Sequence, residues 1–150
     1  MILKQIRISI VGTSPITWPG LFAENCVSSD GWAGVSSLRL DGKLRDTYQL
    51  STGKKIGRWS LGIWPADGYD RKHRWELVRI AGKSKKEKVP IRTESGLSRI
   101  EHKLAWCDWK ACVSVAYDAD LITEQTVVRL MESVGRETGL GDGKFRVATQ

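Results

Sequence analysis

The clearest pattern of secondary structure lies in the last third of the chain, in residues 110–148, which read KACVSVAYDADLITEQTVVRLMESVGRETGLGDGKFRVA. Apolar side chains occupy alternate positions of residues 111–117, and small side chains lie between them. Successive residues of a strand point to opposite faces of a sheet. This stretch therefore predicts a strand that is covered on both faces.

A helix is predicted directly after this strand. Thr123 has the side chain of a helix N-cap, and Glu124 places an acid in the first turn, where the helix dipole favours one. Apolar residues then follow at the spacing of one helix face, namely Val127, Leu130, Met131 and Val134. We expect the helix to cover residues 123–137, to end before Gly139, and to be followed by a strand at 144–148.

The N-terminal residues 2–11 predict another strand, because isoleucines alternate there with polar residues. Residues 12–15, GTSP, should end its ladder, and an irregular stretch is expected over residues 19–43. The middle of the chain predicts short strands near residues 35–40, 46–50, 58–64 and 75–80, with a hairpin turn at 51–55. The simplest solution is a single α+β domain over residues 1–150, with an antiparallel sheet and one main helix on a face.

Length and composition exclude several classes of protein. A chain of 150 residues with 41% apolar and 27% charged residues has the composition of one globular domain, and disorder or a collagen-like fibre is excluded. No stretch approaches the roughly 18 apolar residues of a membrane span, and the N-terminus is charged too early for a signal peptide. Three cysteines suit a reducing compartment. We expect a cytoplasmic protein with no membrane partner.

The net charge of +7 is concentrated in one segment of the chain. Residues 71–103 contain eleven Lys and Arg against four acids, a surplus that equals the charge of the whole chain. Within this segment, residues 82–88 are too polar to pack and predict a solvated tip or arm. The remaining residues contain equal numbers of basic and acidic groups and resemble a neutral scaffold.

A concentrated positive charge with interleaved aromatic residues is typical of proteins that bind single-stranded nucleic acid. We expect basic side chains of the segment to contact phosphate, namely Arg71, Lys72, Arg74, Lys83, Lys85, Lys86, Lys88 and Arg92. Trp64 or Trp75 would stack on unpaired bases. The leading hypothesis is a non-catalytic binding protein for single-stranded RNA or DNA, with assembly along the strand left open.

Two other classes of function remain open. A metal-independent RNA endonuclease could use His73 or His102, although neither has an evident partner for acid–base catalysis. A protein-interaction factor could place the basic segment against an acidic partner protein.

No cofactor or metal is expected. The Gly82-Lys83-Ser84 sequence lacks the first glycine of a phosphate-binding P-loop, which excludes that motif. His102, Cys107 and Cys112 provide three potential ligands where structural zinc usually has four, and the two cysteines are five residues apart. Asp118 and Asp120 are best explained as an acidic turn before a helix.

The two ends of the chain resemble a known group of proteins. The similar motifs are Gly12-Thr13-Ser14-Pro15 after the first strand, Trp109 with Tyr117-Asp118 on a late strand, Ile122-Thr123 at the helix start, and Gly139-Leu140-Gly141-Asp142 before Phe145-Arg146-Val147. Together they resemble small phage and prophage proteins and, more distantly, the RAMP superfamily that forms the backbone of CRISPR effectors. The resemblance covers about the first 15 and the last 45 residues.

This resemblance implies a ferredoxin-like fold, related to the RRM, with the middle of the chain as an elaboration. It also implies RNA or single-stranded DNA as the partner. RAMP proteins have a glycine-rich loop near the C-terminus that approaches RNA, and Gly139, Gly141 and Gly143 match that loop. Lys144, directly after it, completes the predicted binding site. The resemblance implies no catalytic residue, and a phage protein of this kind would act in the bacterial cytoplasm. If the chain is instead a protein-interaction factor, the resemblance implies a phage inhibitor, for example of host CRISPR defence, whose basic segment meets an acidic host protein.

Overall fold

The computed structural model describes residues 1–19, 34–65, 77–96 and 98–148. These residues form nine strands and two helices of an α+β fold. In chain order they are β1 (Leu3–Gly12), β2 (Ile16–Pro19), β3 (Gly34–Ser36), α1 (Leu38–Thr52), β4 (Leu61–Pro65), β5 (Leu77–Ala81), β6 (Ser84–Arg92), β7 (Ser98–Trp106), β8 (Lys110–Asp118), α2 (Glu124–Glu137) and β9 (Phe145–Val147).

The main sheet has six antiparallel strands around β8. One side of β8 pairs with β1 along its whole length, from Leu3 opposite Asp118 to Val11 opposite Lys110. The other side pairs first with β5 and then with β4, which lie one after the other along the strand. The strand β9 pairs with the far end of β1, and β3 pairs with β5.

Both helices pack on the same face of the main sheet and form the core with it. From the sheet, the core takes alternate residues such as Ile8, Ile10, Val113 and Val115, all of them buried. The helix α2 contributes Val127, Leu130, Met131 and Val134, and α1 contributes Leu40, Leu44 and Tyr48. Neither of the two helices packs on the opposite face of the main sheet, and in this sense alone we call it the uncovered face.

A second sheet consists of the hairpin β6–β7 with β2 on the outer side of β7. The hairpin register runs from Ser84 opposite Trp106 to Arg92 opposite Ser98. Among the side chains of this sheet that the structure describes, Ile16, Ala105 and Trp106 at its base are buried. The described side chains further along the hairpin, such as Lys88, Arg92 and Ile100, are exposed.

The last third of the chain agrees with the expectation from sequence. The predicted strand is β8, and the predicted helix is α2, with the hydroxyl of Thr123 accepting a hydrogen bond from the Thr126 amide at 3.2 Å. The predicted acidic turn is confirmed at Asp118, whose carboxylate accepts the backbone N–H of Asp120 at 3.0 Å. The predicted strand at 2–11 corresponds to β1, and that at 144–148 to β9.

The middle of the chain corrects the sequence analysis. The strand expected at 46–50 and the hairpin at 51–55 are wrong, because Leu38–Thr52 form α1 and Gly53 ends it with a left-handed φ of 73°. The strand near 35–40 is limited to β3, since residues from 38 onward are helical. The described residues therefore form two helices where one was predicted. The apolar face of α1 is built from Leu40, Leu44 and Tyr48, at four-residue spacing.

The basic residues 82–88 were expected to form a solvated tip or arm. The described side chains of Lys83, Lys85 and Lys88 are exposed, but residues 84–88 belong to a strand and do not form a tip. Ser84–Arg92 form β6, and the turn of the hairpin lies beyond it, between Arg92 and Ser98. The strands expected at 58–64 and 75–80 correspond in their described parts to β4 and β5. Among the described residues, no helix is long and apolar enough to cross a membrane.

Candidate nucleic-acid interface

The helix-free face of the main sheet carries basic side chains from four different strands. Side chains alternate along a strand, so the residues next to the buried isoleucines and valines face away from the helices. On β1 this places Arg7 on the uncovered face, and the other three strands contribute Arg79 from β5, Lys110 from β8 and Arg146 from β9. All four side chains are exposed. We call this set the sheet-face cations.

The register of the strands fixes where these cations lie relative to one another. Arg7 is opposite Ser114, and Val11, four residues further along β1, is opposite both Lys110 and Arg146. With a rise of about 3.3 Å per residue, Arg7 is therefore about 13 Å along the strand direction from the row that contains Lys110 and Arg146. Neighbouring strands are about 4.8 Å apart, so the four strands β5-β8-β1-β9 place the set within about 14 Å across the sheet.

Few acidic residues of the described chain lie on this face. On its strand positions, the single acid among the described residues is Asp118, which is buried at the end of β8 and bonded to backbone N–H groups. The other described acids lie on the helices, on the hairpin or in turns, and one turn residue, the exposed Asp108, comes two residues before Lys110. The sheet face is therefore positive although the scaffold as a whole is neutral.

An aromatic pair borders the sheet-face cations. Trp64 extends from β4 on this face, opposite Ser114, and its ring is half-buried. The guanidinium carbon of Arg58 lies 4.1 Å from the centre of the Trp64 ring, in a cation–π contact. Trp59 packs beside it, with ring centres 5.7 Å apart, and is itself 72% exposed.

Trp59 is thus the more accessible of the two rings. It comes from the turn before β4, where the N–H groups of Ser60 and Leu61 both bond to the Gly57 carbonyl. A shallow depression on the sheet face is lined by Trp59 and Trp64 together with Gln5 and Ala116. An exposed indole at the rim of a positive surface can stack on an unpaired base.

The basic residues of the hairpin do not form one surface. Lys83, Lys85, Lys88 and Arg92 are all exposed, as the sequence analysis expected. Because side chains alternate along β6, Lys85 lies on one face of the hairpin, and Lys88 and Arg92 lie on the other. A single strand of nucleic acid that follows one face would contact only part of the predicted set.

The glycine-rich turn between α2 and β9 is shaped by its own packing. Gly139 and Gly141 have left-handed φ angles of 75° and 59°. A Cβ on Gly143 would lie 2.5 Å from Cγ1 of Ile16. Leu140 and Gly143 exchange two backbone hydrogen bonds, of 2.8 and 3.0 Å, which close the turn. Glycine is therefore required here by backbone conformation and by close contact with the core.

Most polar groups of this turn are already used within the protein. The carboxylate of Asp142 accepts the Thr17 N–H at 2.8 Å and the Thr17 hydroxyl as well. The ammonium of Lys144 donates to the Glu137 carbonyl. In the described parts of the chain, the N–H groups of Gly141 and Asp142 have no acceptor. Two donors next to a carboxylate make a poor phosphate site, so the geometry favours a structural role for the turn.

Several predicted site residues lie outside the described residues. Among them are Arg71, Lys72, His73, Arg74 and Trp75. Two more, Lys86 and His102, lie on described strands, but their side chains are outside the description. Their roles in binding or catalysis stay predictions.

No group of three or more potential metal ligands occurs within the described residues. Cys107 and Cys112 are half-buried free thiols, separated by the turn that leads into β8. Cys112 lies on the uncovered sheet face between Ser9 and Arg79. The chain matches no known protein family, and no curated protein matches it either.

Proposed function

We propose that the protein binds single-stranded nucleic acid on the uncovered face of its main sheet. The observation that carries this proposal is the sheet-face cations, Arg7, Arg79, Lys110 and Arg146, four exposed basic groups beside the exposed ring of Trp59. Basic side chains attract the phosphate backbone and release its counterions. The aromatic ring adds a contact that only an unpaired base can reach.

We also propose that the core of the fold is ferredoxin-like. Six elements, β1, α1, β4, β8, α2 and β9, follow one another in the order β-α-β-β-α-β, and their strands lie side by side in the order β4-β8-β1-β9. This antiparallel order is the one expected of a ferredoxin-like unit. The remaining strands β2, β3, β5, β6 and β7 would then be additions to that unit.

A relationship to phage proteins and to the RAMP superfamily is part of the same proposal. It is supported by the place of the glycine-rich turn, which connects the second helix of the unit to its last strand. In this chain, however, the turn is closed on itself and packed on Ile16. We therefore assign the phosphate contacts to the sheet face and to the hairpin rather than to the turn.

The test is a titration with single-stranded DNA and RNA oligonucleotides at several salt concentrations. Replacing Arg7 and Lys110 by Gln removes two sheet-face charges without touching the core. The matched control replaces Arg39 and Lys43 by Gln, which removes two exposed charges from α1 on the other side of the sheet. We expect the first pair to weaken binding and to reduce the slope of log K against log salt by about 1.4, at about 0.7 per phosphate contact.

The control pair should leave that slope unchanged, because α1 does not contact the sheet face. Binding to duplex DNA of the same length should be weaker, since its bases are not available to Trp59. If wild-type protein shows no affinity for single strands at low salt, or if both pairs of substitutions have equal effects, the proposal is wrong.

A further inference from the structure

The two edges of the four-stranded core, β4-β8-β1-β9, differ in whether their outward-pointing backbone groups have hydrogen-bond partners. On the outer edge of β4, the N–H of Ile63 donates to the Asp41 carboxylate at 2.8 Å. The carbonyl of Leu61 accepts a hydrogen bond from the Arg45 guanidinium at 3.2 Å, and Arg45 is bound to Asp41 at 2.7 Å. Two side chains of α1 thus bond two of the outward-pointing backbone groups of this edge, which opposes further strand pairing.

The edge on the side of β1 has no such protection over its first half. Gly12 donates its N–H to the Trp109 carbonyl. The backbone N–H and C=O groups of the even-numbered residues of β1 therefore bond to β8, and those of the odd-numbered residues point to the other side of the strand. Ser9 and Val11 meet β9 on that side. The N–H and C=O groups of Leu3, Gln5 and Arg7 have no partner within the described residues.

A groove accompanies this open edge. It has a volume of about 280 Å³ and lies between β1 and the outer side of α2. Its floor is apolar, with Ile6 of β1 and Val128 of α2. Glu124 and Glu132, one turn of helix to either side of Val128, line its wall with carboxylates. The groove therefore fits an extended segment that carries a basic side chain.

We propose that the open edge of β1 pairs with the same edge of a second copy of the chain. The segment itself has the required chemistry, because the exposed Lys4 lies on the helix side of β1, next to Ile6. In an antiparallel pairing centred on Gln5, Leu3 of one copy is opposite Arg7 of the other. Lys4 of the second copy then lies opposite Ile6, in the groove that Glu124 lines.

The pairing satisfies the backbone groups of Leu3, Gln5 and Arg7 in both copies, and the contact is isologous, as most homodimer contacts are. It also joins two main sheets into one, with Arg7 of each copy on the same face near the junction. The two sets of sheet-face cations would then form one continuous positive surface. That consequence rests on the proposed function, whereas the pairing itself does not.

The test is the oligomeric state, measured by analytical ultracentrifugation over a wide range of protein concentration and without nucleic acid. Gln5→Pro removes an N–H that points out of the sheet, so it blocks pairing while it breaks no bond to β8. We expect wild-type protein to dimerise with rising concentration and Gln5→Pro to stay monomeric. Circular dichroism checks that the variant is folded.

A charge exchange identifies the contact. Lys4→Glu and Glu124→Lys each place like charges opposite each other in the homodimer, so each alone should raise the dimer dissociation constant by about tenfold or more. An equimolar mixture of the two variants should dimerise again, because the unlike chains restore both attractive pairs. A charge change at Glu137, on the same helix but outside the groove, is the control.

Either of two results overturns the pairing. One is a wild-type protein that stays monomeric at every concentration. The other is a dimer that Gln5→Pro leaves intact or that the mixture of charge variants fails to restore. Since no nucleic acid is present in these measurements, failure of the pairing leaves the proposed binding function to be judged by its own titration.

Discussion

The indole nitrogen of Trp109 donates a hydrogen bond to the backbone carbonyl of Ser14, 2.8 Å away and 95 residues earlier in the chain. The same two residues make further contacts between distant segments. The carbonyl of Trp109 accepts the Gly12 N–H at 2.9 Å, and the hydroxyl of Ser14 accepts the Lys144 N–H at 2.8 Å. Trp109 thus joins the end of β1, the start of β8 and the glycine-rich turn at one corner of the core.

Replacing Trp109 by Phe should destabilise the protein strongly. Trp109 is completely buried, and the smaller ring leaves both a cavity and an unpaired Ser14 carbonyl. We expect a loss of about 2–4 kcal/mol in the free energy of unfolding, measured by urea denaturation. The control is Trp59→Phe, at a ring that is 72% exposed, which should change stability by less than about 0.5 kcal/mol. Equal effects of the two substitutions would contradict this role of Trp109.

Gly139→Ala should also destabilise the fold. Gly139 has a φ of 75°, and a Cβ there would lie 2.0 Å from the Gly143 carbonyl oxygen, so the turn cannot keep its closed form. We expect a loss of about 2 kcal/mol or more in thermal or urea unfolding. Gly42→Ala is the matched control, because a Cβ at this position of α1 meets nothing within 4 Å. That change should raise stability by about 0.5–1 kcal/mol through better helix propensity.

Asp41→Ala should open the edge of β4. Asp41 is only 4% exposed, and its removal leaves the Ile63 N–H without an acceptor and the half-buried Arg45 without its carboxylate partner. Removing one partner of a buried ion pair costs about 3–5 kcal/mol in the free energy of unfolding, and we expect a loss of this size. The control is Asp46→Ala, at an exposed position of the same helix, which should cost less than about 0.5 kcal/mol. Urea unfolding measures both. A stable Asp41→Ala protein would show that the edge is held by other contacts.

These residues show where sequence reasoning succeeded and where it could not. The helix α2 was predictable because its cap and its apolar face are both local patterns, from Thr123 to Val134. The helix α1 has the same kind of apolar face in Leu40, Leu44 and Tyr48, but it contains Gly42 and has no side-chain cap at Ser37. Its buried Asp41 becomes explicable only when β4 lies beside it. A residue that caps a neighbouring strand leaves no local signal.

The candidate site was missed for a related reason. Counting charge along the chain gave a neutral scaffold, since Arg7, Lys110 and Arg146 are balanced by acids such as Glu124. The fold then places the basic and acidic side chains on different surfaces, with the cations on the uncovered sheet face and Glu124 on a helix. Alternation within β1 did place Arg7 among the polar positions. Its neighbours on that face come from strands that only the sheet register brings together.

Trp59 precedes the basic segment, as Trp64 does, but Trp64 and Trp75 were the residues selected for stacking. Trp59 has the same parity as the buried Leu61 and Ile63, and the turn at Gly57 interrupts that alternation and leaves its ring exposed. The sequence offers several tryptophans near the positive charge, and the structure shows that the ring of Trp59 is exposed.

Trp59→Ala should weaken binding of single-stranded oligonucleotides by about 1–3 kcal/mol, roughly 5- to 150-fold, because one stacked base is lost. Trp59→Phe should retain most of the affinity, since the smaller ring still offers a face for stacking. The salt dependence of binding should stay as in the wild type, because no charge is removed. Leu50→Ala, at an apolar side chain that is 88% exposed near the end of α1, is the control and should bind normally. Fluorescence anisotropy with a labelled oligonucleotide measures all four proteins, and an affinity of Trp59→Ala equal to that of the wild type would remove base stacking on this ring from the proposed function.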